Sequence, residues 1–493
     1  MLGGKMITKV GFDSIMKWLL LCGWFTLFIG GVTHYSGSWL TYTIFSLVFL
    51  TMLISGFYRQ ISYGYLFLVA MLWLGFWLKL TVHLLVDYPF NESIGLFDKS
   101  ASAWDEVLLV ATMGGIGVLL GRIIYRLVAC PGSSMLANQG GVKPIVPVWY
   151  PATRTWMWAC LMFVCVGLAI INASLGILQI GLVPSTILLW PLNAVISFLI
   201  GYGLTFLIAT LLWWDIALGR NVSMVVYFVL LEAFTSTVTM FSRGAFIYHT
   251  IPPFLALYKN KNIVSGWSWK NIIAVSIAFF VLLAISFPLV NTLRGYYYSD
   301  VVPVSLFGSD KLSDKLSDKT SVLAKFAIDR WVGVEGVMVV SAYPKKGVDL
   351  FARSIMERRE IGKDTLYSEM SRPAYFGVVD KSKFQFSEIP GAIALLYYAS
   401  QLWVVALGMI VLVLAVLASE GLVFRFTSNP LLSALWGGAA ANAVAQMGGG
   451  AMSLLFYFFS LFCGIAAICF VQSKFFSRML QKSSALIRLK GRF

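Results

Sequence analysis

Arginines set beside glycine are the residues of this chain best suited to chemistry. Arg243 sits in Phe241-Ser-Arg-Gly-Ala245, Arg294 in Asn291-Thr-Leu-Arg-Gly295, and Arg330 opens Arg330-Trp-Val-Gly-Val-Glu-Gly336, which also carries Glu335. Arg353 stands four residues before Glu357, with Arg358 and Arg359 directly after. Planar guanidinium groups grip phosphate oxygens bidentately, and a carboxylate in an apolar, arginine-rich setting can take a proton from a hydroxyl. His249, six residues past Arg243, is placed to line the same cavity. Each has a plainer reading: a packed or hydrogen-bonded histidine for His249, and for Arg353 and Glu357 a surface ion pair of roughly 0.3–0.5 kcal/mol.

The elements that must position these residues belong to a membrane protein. Of 493 residues, 59% are hydrophobic and 12% charged, which excludes an ordinary water-soluble fold. Apolar runs near the roughly 20-residue length needed to cross a hydrocarbon core recur along the chain. They predict twelve transmembrane helices near 14–33, 38–57, 62–86, 103–125, 154–173, 186–213, 222–240, 244–259, 270–290, 389–417, 429–447 and 450–472. The all-α chain thus divides into helices 1–9 over 1–290, a large loop over 291–388, helices 10–12 over 389–472, and a basic tail over 473–493.

Charge assigns the sides. Lys5, Lys9, Lys17, Arg59, Arg122, Arg126, Lys143, Arg154, Arg220, Lys259, Lys261, Lys270, Arg425 and the tail fall on one side, and an acidic segment with Asp87, Glu92, Asp98, Asp105 and Glu106 on the other. The positive-inside rule then puts both ends in the cytoplasm, in a chain retained in a bacterial inner membrane. The tail reads as a helix on anionic lipid, so the net charge of +15 implies lipid partners and not nucleic acid. Three histidines and six cysteines, none of the cysteines in an outer loop, point to neither a zinc site nor disulfides. No phosphate-binding glycine loop and no loop Asp-x-Asp is present, which favours chemistry without a metal or cofactor.

The 98-residue loop over 291–388 breaks the charge pattern with 9 Lys and 6 Arg against 13 acidic residues, and its length points to function. Lys311-Leu-Ser-Asp314 repeats as Lys315-Leu-Ser-Asp318, a polar duplication that reads as a mobile tip. Residues 321–340 are apolar enough to be buried, so Asp329, Arg330 and Glu335 there need partners or a task. Residues 348–361 predict an interfacial helix with Leu350, Phe351, Ile355 and Met356 toward lipid. Lys79 and Glu232, both inside spans, are costly in lipid, and Lys79 either snorkels outward or serves a function. Gly117-x-x-x-Gly121 and the small residues from Gly437 to Ala445 predict close helix packing.

The Arg-Gly segments, together with Ile389-Pro-Gly391 after a large loop, resemble the Wzy-type polymerases of lipid-linked oligosaccharide repeat units, from about the sixth span onward. The Arg-x10-Gly pattern of some members is absent. The resemblance implies a GT-C-like polymerase or ligase architecture with short helices in a periplasmic loop. It also implies a glycosyltransferase that joins repeat units from polyprenyl diphosphate carriers during O-antigen or lipopolysaccharide biosynthesis, with a Wzz-like chain-length regulator as a possible partner. Arg243 and Arg294, then Arg330 and Arg353, would hold the diphosphate. Glu335, with Glu357 second, would take the hydroxyl proton, and Arg358 and Arg359 would line the cavity with His249. An O-antigen ligase is the nearest alternative, but its expected outer-loop histidine is missing from 291–388. A lipid-linked oligosaccharide flippase is a competitor from another class, although no internal repeat is visible.

Overall fold

Runs of Leu, Ile, Val and Phe without a polar stripe are stable in a bilayer only as helices, because each backbone N–H and C=O must be satisfied within its own segment. The computed structural model describes residues 20–57, 62–128, 145–222, 225–260, 269–298, 328–358, 360–385, 388–473, 475–476 and 478. The repeat at 311–318, Arg359 and nearly all of the basic tail lie outside the described residues.

Eight helical segments are long and apolar enough to cross a membrane: α2 (Trp39–Phe57), the joined α3 (Tyr63–Leu72) and α4 (Lys79–Val86), α5 (Ala101–Val128), α6 (Tyr150–Leu175), the joined α7 (Leu192–Phe198) and α8 (Leu204–Ala217), α11 (Trp269–Tyr298), α16 (Leu402–Thr427) and α18 (Ala451–Gln472). The other four expected spans correspond to shorter helices, α1 (Leu20–His34), α9 (Val225–Thr239), α10 (Arg243–Lys259) and α17 (Pro430–Ala445). Three short helices lie in the large loop: α12 (Val334–Ala342), α13 (Val348–Met356) and α14 (Leu366–Ser371). A fourth, α15 (Ala392–Leu396), with a 3-10 turn over Tyr397–Ala399, leads into α16.

Helix α17 is the hub, packed on α3, α8, α10 and α16 and buried over nearly its whole length. Asn429 starts it by accepting from the N–H groups of Leu431 and Leu432 at 3.0 and 3.1 Å, and Pro430 at its first position has no N–H to satisfy. Its small residues do what the sequence reading expected: a Cβ on Gly437 would lie 2.5 Å from the backbone nitrogen of Gly64. Likewise, a Cβ on Gly117 would lie 2.5 Å from the carbonyl of Ala406, and one on Gly121 3.0 Å from Val413.

Three expectations need correction. Helix α11 continues to Tyr298, so the predicted loop from 291 begins inside a helix and Arg294 is held in its final turns. The span expected over 389–417 starts at Leu402, because α15 and Ser400, with φ of 59°, use the preceding residues in a turn. Helix α13 does not lay Leu350 on lipid: Leu350 and Ser354 are buried against the protein, and Met356 is exposed. Gly448-Gly-Gly450 lies between α17 and α18.

Candidate functional site

Helix α12 is a loop segment drawn into the bundle, packed against α5 and α15 and buried from Val334 to Ser341. Two glycines permit this. A Cβ on Gly333 would sit 1.8 Å from the carbonyl oxygen of Gly75, and one on Gly336 would sit 2.0 Å from that of Pro390, so backbone touches backbone at both points. Gly75 lies in a wide π-turn over Trp73–Leu78 that joins α3 to α4. The extra residue of such a turn shifts the helix face that follows it, and here Lys79 and His83, four residues apart, both face the inserted segment.

Burial forces these charges into pairs. The Lys79 ammonium pairs with the Glu335 carboxylate, both side chains 1% exposed, and donates to the carbonyls of Asp329 and Trp331 at 3.1 and 2.9 Å. The snorkelling alternative for Lys79 therefore fails. His83 donates from Nδ1 to the carbonyl of Tyr88 at 2.9 Å, which leaves Nε2 to share a proton with Asp329 Oδ1 at 2.7 Å. The rings of Tyr88 and Phe90 stack on the imidazole, each with centroids 3.9 Å away.

Two further acids complete this patch. Burial, then repulsion from Glu335, pushes the Glu92 carboxyl up to about 8, with Glu388 and Asp329 adding to the rise and Lys79 opposing it. Burial likewise raises Glu388, which accepts from the N–H of Ser93 at 3.2 Å. Glu92 lies in the segment between α4 and α5, outside the spans. Its folded value stands above its ordinary 4.5, so the folded state binds the extra proton between those values, and stability contributed by the neutral carboxyl is lost as pH rises from 4.5 to about 8. Thermal melts of Glu92→Gln should be flatter than wild type across that window; identical pH profiles would contradict the assignment.

The arginines form a second cluster at the same end of the bundle. Arg243 is the first residue of α10 and feels the positive charge of both Arg294 and Arg330. Burial lowers the Arg330 guanidinium below the ordinary arginine value; Tyr248 opposes that shift and Arg294 adds to it. Arg294 donates from Nε and Nη2 to the carbonyl of Phe241 at 2.9 and 2.6 Å, which ties the end of α11 to the α9–α10 turn, where Phe241 has φ of 54°. Arg330 lies over the ring of Phe287 at 5.8 Å. The neighbouring glycine matters at one position only: a Cβ on Gly244 would lie 2.7 Å from Arg330 Nη2, whereas nothing lies within 4 Å of one on Gly295.

Like charges gathered in a partly buried place repel one another, and a bound anion offsets that cost. Three of the four arginines expected to hold an anion are therefore brought together. The fourth, Arg353, is exposed on α13, as is Arg358 just beyond it. No Arg353–Glu357 ion pair forms, because α13 ends at Met356 and the extended Glu357 caps the N–H of Leu366 at 2.7 Å instead. Glu335 is locked to Lys79, so neither carboxylate first expected to accept a proton is free of a structural bond.

His249 follows the plainer reading. It is 2% exposed, donates from Nε2 to the Gly201 carbonyl at 2.8 Å, and faces Glu232 Oε1 and Thr205 Oγ1 across Nδ1, each at 3.1 Å. The Gly201 carbonyl lies in a second π-turn, Leu199–Gly203, which no sequence signal marked. Glu232 is thus paired within the bundle, and it also accepts from Ser236 at 2.8 Å.

At the opposite end, Arg154 grips Asp215 through Nε and Nη2 at 2.7 and 2.8 Å, and Glu420 accepts from the N–H groups of Tyr63 and Gly64 at 2.9 and 2.7 Å. These contacts close helix ends. Among the described residues, no three His, Cys, Asp or Glu side chains converge to hold a metal ion. A cavity of about 340 Å³ between α6, α7–α8 and α18 is lined mostly by apolar side chains such as Phe198, Phe206, Leu211 and Ile468, with Cys160, Thr210 and Trp214 adding polar atoms, and suits a hydrocarbon chain. Comparison of the chain with family models, with curated proteins and with solved structures returned no match.

Proposed function

We propose that this protein polymerises polyprenyl-diphosphate-linked glycan repeat units at the outer face of a bacterial inner membrane. The observation that carries the reading is the convergence of Arg243, Arg294 and Arg330 at one end of a bundle of membrane-crossing helices. Counting α1, α9, α10 and α17 as passes gives twelve spans, the number expected of the proposed GT-C-like architecture. Arg122, Arg126, Arg154 and Lys259 then face the cytoplasm, and the arginine cluster faces the other way, at the depth where a lipid-borne diphosphate lies.

In the reaction, a sugar hydroxyl oxygen of one lipid-linked glycan bonds to the anomeric carbon of another. The anomeric C–O bond to diphosphate breaks, its electron pair leaves on the diphosphate, and the hydroxyl proton passes to a base. Three guanidinium groups in a partly dry site stabilise the departing charge. Of the nearby carboxylates, Glu92, raised by burial and in no salt bridge among the described residues, fits the proton-accepting role better than Glu335, which is locked to Lys79.

Purified protein given lipid-linked repeat units alone should produce a ladder of longer glycans. Movement of repeat units across vesicles without any change in length would overturn this reading in favour of transport.

A further inference from the structure

Next to the arginine cluster lies a second set of polar groups that the diphosphate does not use. Tyr248 is five residues along α10 from Arg243, about 7.5 Å deeper along the helix axis. Its hydroxyl accepts from Gln446 Nε2 at 2.8 Å, and its ring meets the Arg330 side of Gly244. Tyr202, set on the π-turn, has its ring centroid 5.9 Å from those of both Tyr457 and His249. The Asn442 amide reaches the Tyr202 hydroxyl, while Asn442 Oδ1 is buried with no hydrogen-bond partner.

These five residues come from α7–α8, α10, α17 and α18, and each is partly exposed. Asn442 and Gln446 stand four apart and project to the same side of the α17 terminus. None of the five is charged. The set offers aromatic faces, hydroxyls, two amides and an unpaired acceptor, which is the equipment of a site for a neutral, hydroxyl-rich ligand. Water alone would satisfy the amides but would not need three tyrosine rings.

We infer that Tyr202, Tyr248, Asn442, Gln446 and Tyr457 form a sugar subsite that holds the glycan residue attached to the diphosphate. The inference rests on the diphosphate reading of the arginines and adds a recognition role to it. A sugar directly bonded to the diphosphate falls beside Arg330 and over Tyr248, and Asn442 Oδ1 accepts one of its hydroxyls. An amide that has lost such a ligand keeps a buried, unsatisfied oxygen, so the subsite discriminates against a carrier without sugar.

The test measures the affinity of protein in lipid nanodiscs for two probes, a bare polyprenyl diphosphate and a polyprenyl-diphosphate-linked N-acetylhexosamine. Wild type should favour the sugar-bearing probe. Asn442→Leu and Gln446→Leu should each weaken that probe by about tenfold, the loss expected for one hydrogen bond to a buried group, and leave the bare probe unchanged. Tyr248→Phe, which keeps the ring, should cost less than either. Equal loss for both probes, or no wild-type preference for the sugar while the bare probe binds, overturns the subsite and leaves the diphosphate reading standing. Failure of wild type to bind either probe overturns both.

Discussion

Replacing Arg243 with alanine should cut glycan elongation by on the order of 10²- to 10³-fold, the loss seen when one preorganised donor to a developing anion is removed. Arg243 begins α10 beside two neighbouring guanidinium groups, so its removal takes one positive charge from the proposed anion site. Arg294 behaves differently, because its two bonds to the Phe241 carbonyl anchor the α9–α10 turn. Arg294→Ala should lose both activity and stability, and Arg294→Lys should recover part of each, since an ammonium keeps the charge but not the fork. Elongation rates and melts on the same preparations separate the two roles. Full activity in Arg243→Ala would remove it from the site.

The largest stability effect should come from the Lys79–Glu335 pair. Both side chains are 1% exposed, and the pair fastens α12 to the α3–α4 helix. Lys79→Met leaves a buried carboxylate with no counter-charge, and removing one partner of such a pair costs about 3–5 kcal/mol. The double variant Lys79→Met with Glu335→Leu should recover most of that loss, because it leaves neither charge uncompensated, and the pair's desolvation cost disappears with it. Denaturation of the two variants in detergent provides the comparison. A double variant as unstable as the single one would mean that Glu335 has a role beyond pairing with Lys79.

Much of the architecture was legible because lipid imposes a simple rule on composition. Each apolar run became a helix, and the close approach at Gly117, Gly121 and Gly437 followed from residue size. Arg243 and Arg294 were legible because each stands where an apolar run gives way to a polar one, and Arg330 because it is a charge inside an apolar stretch. Their relative placement was not, since the Gly244 gap that admits Arg330 pairs residues 86 positions apart.

The acidic patch escaped the sequence reading for the same reason. His83 finds Asp329 across 246 positions and Ser93 finds Glu388 across 295, and nothing local announces either contact. The π-turns at Trp73–Leu78 and Leu199–Gly203 were invisible because one more apolar residue in an apolar run leaves no mark. The Arg353–Glu357 expectation failed on a local matter: four-residue spacing brings side chains together only while the helix lasts, and this one ends at Met356.

The proposed function requires three arginines that together hold a lipid-borne diphosphate. Binding of polyprenyl diphosphate and of polyprenyl monophosphate to protein in nanodiscs, measured side by side for wild type and for Arg243→Ala with Arg330→Ala, tests it most directly. Wild type should prefer the diphosphate, and the double variant should lose that preference. Equal affinity of wild type for both lipids, or an undiminished preference in the double variant, would contradict it.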